Sequence, residues 1–217
     1  MSAEKITRKE LKHDGMVDAV FSISIHLQQH IKIYISLAAL LIIGAIIIGV
    51  MFYQDSQKNE RAVSLLAHAR GPESLERIFR DYPETESAPL ALFLMADLLY
   101  RQGGYQSARQ KYELFFQNYP QHVFAPFALM GAAYSAESQE RWEEAIDFYR
   151  RVRQRFPQSF LVAEALYNTG RCQIRLGRRE EAVDSYEEII TLHRASSYLR
   201  LASEELVKLE STVESGG

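Results

Sequence analysis

Four groupings of side chains in this 217-residue chain are of types that do chemistry. His26 and His30 stand four apart, so a helix would put both imidazoles on one face. Two histidines are an incomplete metal site, because zinc takes three or four protein ligands, and no third ligand is evident. They read as polar residues at an interface, and no metal or other cofactor is expected. Cys172 is the single cysteine, so no intramolecular disulfide can form. It lies among apolar residues and reads as a small buried hydrophobe. The carboxylate pairs Glu143/Glu144 and Glu180/Glu181 resemble acid/base partners, but each opens a helical stretch, where the N-terminal dipole favours negative charge. Arg150, Arg151, Arg153 and Arg155 form a basic run, followed by Arg178 and Arg179. Glu and Asp interleave with them, so the run reads as a solvated helix face, with an acidic partner or anionic lipid headgroups as the alternative. No nucleophile elbow, phosphate loop or metalloprotease motif is present, and an enzyme is not expected.

The elements that carry these residues recur at a fixed interval. Ala108, Ala145 and Ala182 are spaced by 37 residues, as are Tyr112, Tyr149 and Tyr186. Pro83, Pro120 and Pro157 repeat at 37 too, each behind an aromatic: Tyr82, Tyr119, Phe156. A period of this size marks stacked repeats. Three clean units are expected over Pro89–His122, Pro126–Ser159 and Ala163–Ser196, each a pair of helices joined by a short turn. Gly103 and Gly177 suit a helix end that needs a left-handed residue, and Glu140 stands at the matching place in the middle unit. Arg194 replaces the proline after the third unit. A last helix over about Ser197–Leu209 reads as a cap with one wet face. Before the clean units, Gly71-Pro72 breaks the chain, and a helix over Glu73–Asp81 ends ahead of Pro83.

The N-terminal quarter differs. Ile33 to Gln54 is 22 residues without a charge. At about 1.5 Å per residue it reaches roughly 30 Å, the thickness of a bilayer's hydrocarbon layer. No cleavage site follows it, which predicts an uncleaved membrane anchor. Lys5, Arg8, Lys9, Lys12 and Lys32 precede the anchor, and the positive-inside tendency then predicts a cytoplasmic N-terminus. The expected domains are a cytoplasmic tail with an amphipathic interfacial helix (1–32), the transmembrane helix (33–54), and a helical linker with a degenerate first repeat (55–88). The repeats and cap (89–211) and a flexible tail (212–217) complete the chain. Within the tail, Met16, Val20, Ile23, Leu27 and Ile31 share a helical face, although Phe21, Ile23, Ile25 and Leu27 also alternate as in a strand. Thr7 and Glu10 have capping-box spacing. A formal net charge of −3 gives no reason to expect nucleic-acid binding.

The units resemble the tetratricopeptide repeat. The first supplies Leu92, Ala96, Tyr105, Ala108 and Tyr112; the second Leu129, Ala133, Trp142, Ala145 and Tyr149. The third supplies Leu166, Gly170, Ala182 and Tyr186, with Arg179 in place of the first aromatic. A 37-residue unit exceeds the usual length of about 34 and resembles the subgroup with a Tyr-Pro extension found in bacterial envelope proteins. The layout is similar to single-span, membrane-anchored tetratricopeptide proteins, among them the ancillary subunit of the bacterial Sec translocon. The resemblance implies an all-α fold: one N-terminal transmembrane helix, a tetratricopeptide-repeat solenoid and a capping helix. It implies a bacterial inner-membrane protein whose repeat domain lies in the periplasm and binds a protein or peptide. Projected family geometry puts Phe93, Asp97, Tyr100, Arg101, Phe127, Met130, Tyr134, Glu137, Tyr167, Arg171 and Arg175 on the concave binding face. The Lys/Asn clamp that co-chaperone repeats use for a C-terminal carboxylate is absent there. The expected function is that of a non-enzymatic adaptor. The alternative is a structural accessory subunit of a membrane complex, held through the anchor and tail, with homo-oligomerisation also open.

Overall fold

A computed structural model describes residues 15–214, and every described element is helical. The nine helices among the described residues are α1 (Gly15–His68), α2 (Pro72–Asp81), α3 (Ser87–Arg101), α4 (Tyr105–Asn118), α5 (Ala125–Glu137), α6 (Trp142–Arg155), α7 (Leu161–Arg175), α8 (Arg179–Leu192) and α9 (Tyr198–Glu214). The chain divides into two compact units, Met1–Ser56 and Gln57–Gly217. The Thr7–Glu10 spacing lies outside the described residues.

In the first unit the ambiguity over Met16–Ile31 resolves as helix, because α1 starts at Gly15. Among its described residues the large apolar side chains are left uncovered: Val20, Phe21, Ile23, Ile33, Leu41, Ile47 and Phe52 are all exposed. The helix is long and apolar enough to cross a membrane. His26 and His30 sit with ring centroids 4.7 Å apart. Hydroxyls bond back to the backbone, Ser36 Oγ donating to the Lys32 carbonyl at 2.8 Å, which hides polar groups along an apolar helix.

The second unit is a stack of helical hairpins. The last turns of α1 supply Leu66 to its core beside Leu75 and Ile78 of α2. From α2 to α9 each helix packs on the next, and α3, α5, α7 and α9 also touch in succession. The period reappears in the turns. In all four connections between repeats an amide donates to the carbonyl three residues earlier: Thr85 to Tyr82 (3.1 Å), His122 to Tyr119 (3.1 Å), Ser159 to Phe156 (2.9 Å) and Ser196 to His193 (2.9 Å). The last turn keeps this geometry with Arg194 instead of proline. Proline favours the turn by fixing φ, but the bond belongs to the residues around it. After each turn a further bond, such as Ala125 to the His122 carbonyl at 2.8 Å, winds straight into helix. The first helices of the clean units therefore begin one or two residues ahead of the expected starts. α9 likewise continues to Glu214, past the expected Leu209.

Within each hairpin the left-handed position falls where the glycines predicted. Gly103 has φ 79°, Gly177 φ 73°, and Glu140 φ 58°. The helix ends close in the same way, with Gly104 donating to the Leu99 carbonyl, Arg141 to Ala136 and Arg178 to Gln173.

Small residues admit the large ones. A Cβ built on Gly131 of α5 would lie 2.4 Å from the Tyr112 ring of α4, and one on Gly170 of α7 would lie 2.6 Å from the Tyr186 ring of α8. The second helices are joined on their outer side by contacts 35 residues apart: Glu76–Lys111 (3.0 Å), Arg109–Glu144 (3.2 Å), Arg153–Glu188 (2.5 Å) and Glu143–Arg178. The basic run is thus partnered inside the domain, since Arg150 also pairs with Asp147 and Arg151 lies over the Phe116 and Phe148 rings.

Candidate binding cleft on the inner helix face

The inner face is built from α3, α5, α7 and α9, which follow one another because the intervening helices carry the chain back. The eleven residues projected onto it fall into three groups. Phe93, Phe127 and Met130 form part of the packing. Phe93 stacks on Phe124 at 5.0 Å and meets Tyr112 and Phe115 edge-on at 5.7 Å each. Phe127 is half-buried between Phe124 (6.1 Å) and Phe160 (5.9 Å). Met130 is 3% exposed, so it offers no binding surface. The cause is α5 itself, which has neighbours in α3, α4, α6 and α7 and keeps little of its circumference free.

Asp97, Tyr100 and Arg101 form a second group at the end of α3. Arg101 pairs with Asp97 at 2.8 Å in the open. Tyr100 tilts against Tyr105, and its hydroxyl lies 3.4 Å from Ser138 Oγ.

The remaining five converge on the last turns of α5 and α7. The Tyr134 hydroxyl donates to Glu164, and the Tyr149 hydroxyl, rising from α6, donates to Glu137. The Glu137 side chain is 15% exposed and lies 3.9 Å from Arg171 Nη1, which donates to Asn168 Oδ1 at 3.0 Å. Tyr167 lies between Tyr186 (5.7 Å) and Tyr198 (5.4 Å). Arg175 reaches over the Trp142 ring at 5.9 Å. Glu137, Tyr167, Arg171 and Arg175 line one open cleft of about 390 Å³ with Ser138, Trp142, Cys172, Ile174 and Glu205. Tyr134 stands beside it through the Glu164 pair.

Burial raises the Tyr149 and Tyr134 hydroxyls far above the ordinary tyrosine range, and the negative charge of Glu137 and Glu164 raises them further. Tyr198 is pushed up to about 12, first by burial and then by Glu164. Cys172 is pushed up to about 12 by burial and by Glu137, against the opposing charge of Arg171. These groups stay protonated at neutral pH. The tyrosines therefore act as hydrogen-bond donors to carboxylates, and the thiol is not a nucleophile.

In the sequence Trp142 stands only as the first aromatic of the second unit's repeat pattern. It packs on the core and also forms a wall of the cleft. Its partner Arg175 lies on the other hairpin, in the next unit, and no local pattern joins them. Glu164 and Tyr198 also belong to the site without a local signal, because Glu164 meets Tyr134 of the preceding unit and Tyr198 of α9, both distant in sequence.

Antiparallel helix pairs, small residues under aromatic rings and a continuous inner face define a tetratricopeptide-type solenoid. Residues 90–122 and 125–195 each match the family described as tetratricopeptide repeat. The chain therefore carries repeats of an interaction scaffold. Among solved structures it resembles a tetratricopeptide repeat protein from Parabacteroides merdae ATCC 43184, at 21% identity and TM-score 0.56. The match covers 74% of this chain and 61% of that one, so the chain spans under two thirds of its length. A Podosopora anserina protein of nearly identical TPR-like repeats, named for kinesin light chain, matches at 14% identity and TM-score 0.49, over 72% and 92% of the two chains. MamA AMB-1 matches at 14% and TM-score 0.45, over 76% and 94%. No curated protein matches the sequence.

Proposed function

We propose that this protein is a non-enzymatic adaptor, anchored in a bacterial inner membrane by α1, whose repeat domain holds a protein or peptide partner on the periplasmic side. The observation that carries the reading is the cleft at the ends of α5 and α7, where aromatic walls and unburied guanidinium groups stand on rigid helices. The unburied apolar surface of α1 supports anchoring, since such a face in water is strongly unfavourable. The basic N-terminal tail supports an inside N-terminus. The layout of tail, anchor and repeats resembles the ancillary Sec translocon subunit family and supports work beside an envelope machine.

The test is site-specific photocrosslinking in intact cells, with the probe at Arg175 in the cleft or at Asp147 on the outer side. A distinct adduct from Arg175 alone is the expected result. Equal adducts from both positions, or none from either, would overturn the adaptor reading. A reporter fused to the C-terminus reads topology, and activity only on the cytoplasmic side would reverse the orientation. The second reading, a structural subunit held through α1, is favoured by the length of exposed apolar helix. It predicts that partners copurify with residues 1–56 rather than with the repeats.

A further inference from the structure

The charges lining the cleft between α5, α7 and α9 are unequally occupied. Its two carboxylates are engaged by the domain itself. Glu137 accepts the Tyr149 hydroxyl and is 15% exposed, and Glu205 pairs with Lys208 at 2.7 Å. The two arginines are exposed, and among the described residues Arg171 donates only to the neutral Asn168 Oδ1 at 3.0 Å. The Arg171 side chain is 51% exposed, with its closest carboxylate at 3.9 Å. Arg175 is exposed and meets only the Trp142 ring, with no carboxylate bonded to it among the described residues. The cleft therefore presents cations against aromatic and aliphatic walls, Trp142, Tyr167 and Ile174.

Spacing narrows the choice of ligand. Arg171 and Arg175 are one helical turn apart, a rise of about 6 Å. In an extended peptide, alternate side chains on one side repeat at about 6.6 Å. Two acidic residues separated by one residue match that interval. Guanidinium forks favour carboxylates over other acceptors, and an aromatic ring behind one fork keeps it oriented when no ion pair does. A basic partner would meet two guanidinium groups with no free carboxylate beside them.

We propose that this cleft takes an extended acidic peptide segment, with Arg171 and Arg175 each receiving one of two alternate side-chain carboxylates and Trp142 and Tyr167 holding the backbone and the intervening residue. This rests on the reading of the inner face as a protein-binding surface.

Trp142 is the only tryptophan in the chain, so its emission reports this cleft alone. The full chain in a detergent without aromatic groups would be titrated with an acetylated, amidated Asp-Leu-Asp-Leu peptide and with its Asn and Lys counterparts. Blocked ends exclude a terminal carboxylate as the ligand. The Asp peptide alone should shift the emission, and Arg171→Gln and Arg175→Gln should each weaken it roughly three- to tenfold, less so in high salt. Unchanged thermal unfolding of both variants would show that they fold. Equal binding of the Asp and Asn peptides, or no binding of any peptide, would overturn the acidic preference. The in-cell crosslink at Arg175 is read separately. If it survives while the Asp peptide fails, the cleft binds a partner of other chemistry; if both fail, the adaptor reading falls as well.

Discussion

Replacing Gly131 by alanine tests the packing on which the inner face depends. A Cβ there would lie 2.4 Å from Tyr112 Cζ, 2.6 Å from Cε2 and 2.7 Å from Cε1. Carbon atoms rest at about 3.5–4.0 Å, so the ring or α5 must withdraw by about 1 Å. The ring has little room. Tyr112 is 4% exposed, and Phe93 stands edge-on at 5.7 Å. Overpacking of this kind costs about 1–3 kcal/mol, and a ring this deeply buried belongs near the upper end. Alanine returns about 1 kcal/mol of helix propensity over glycine. The net loss is about 1–2 kcal/mol. Urea unfolding of the full chain in detergent, followed by circular dichroism and Trp142 emission, would measure it. Pairing the change with Tyr112→Leu removes the ring that clashes, so the double variant should lose less than the sum of the singles, by about 1 kcal/mol. A Gly131→Ala protein as stable as the parent, or a purely additive double variant, would refute the close approach.

Glu140→Gly should stabilise the domain by about 0.5–1 kcal/mol, because φ 58° suits glycine better than a residue with a Cβ; a lower melting temperature would contradict this. Tyr149 and Tyr134 have raised folded-state values, so folding favours their protonated forms. Between the unfolded value near 10 and the higher folded value the unfolded chain binds fewer protons, and stability falls as pH rises. The loss contributed by Tyr149 reaches about 1.4 kcal/mol per pH unit. Tyrosinate absorbance of these residues should appear only with unfolding, and reversible titration near pH 10 in the folded state would show them solvated. Ile43→Arg, at the middle of the apolar run, should weaken membrane insertion by about 3 kcal/mol and move protein into the soluble fraction; unchanged fractionation would argue against a span centred there.

How far the sequence reaches differs from element to element. The hairpins were legible because each unit must bury the same face against the same neighbour, so Ala108, Ala145 and Ala182 return at one interval with Tyr112, Tyr149 and Tyr186. The left-handed turns were legible from Gly103 and Gly177, and the same register carried the assignment to Glu140. The apolar run of α1 was legible from composition alone. The start of α5 was not, because the bond from Ala125 to the His122 carbonyl comes from the turn's backbone, which no side-chain pattern records.

By itself, then, the sequence determined the repeat, its turns and the apolar helix, all of which follow from local propensity and from burial repeated at a constant period. Tertiary structure decided which inner-face residues remain available. Phe127 and Met130 went into packing because α5 is flanked by four helices, and Phe93 of α3 because the Tyr112, Phe115 and Phe124 rings close around it. Arg153 of α6 and Arg178, just ahead of α8, found carboxylates 35 residues away on the neighbouring repeat, while Arg175 found an aromatic ring instead. A side chain's partner across a stack depends on the offset between units, and that offset exists only once the helices have packed.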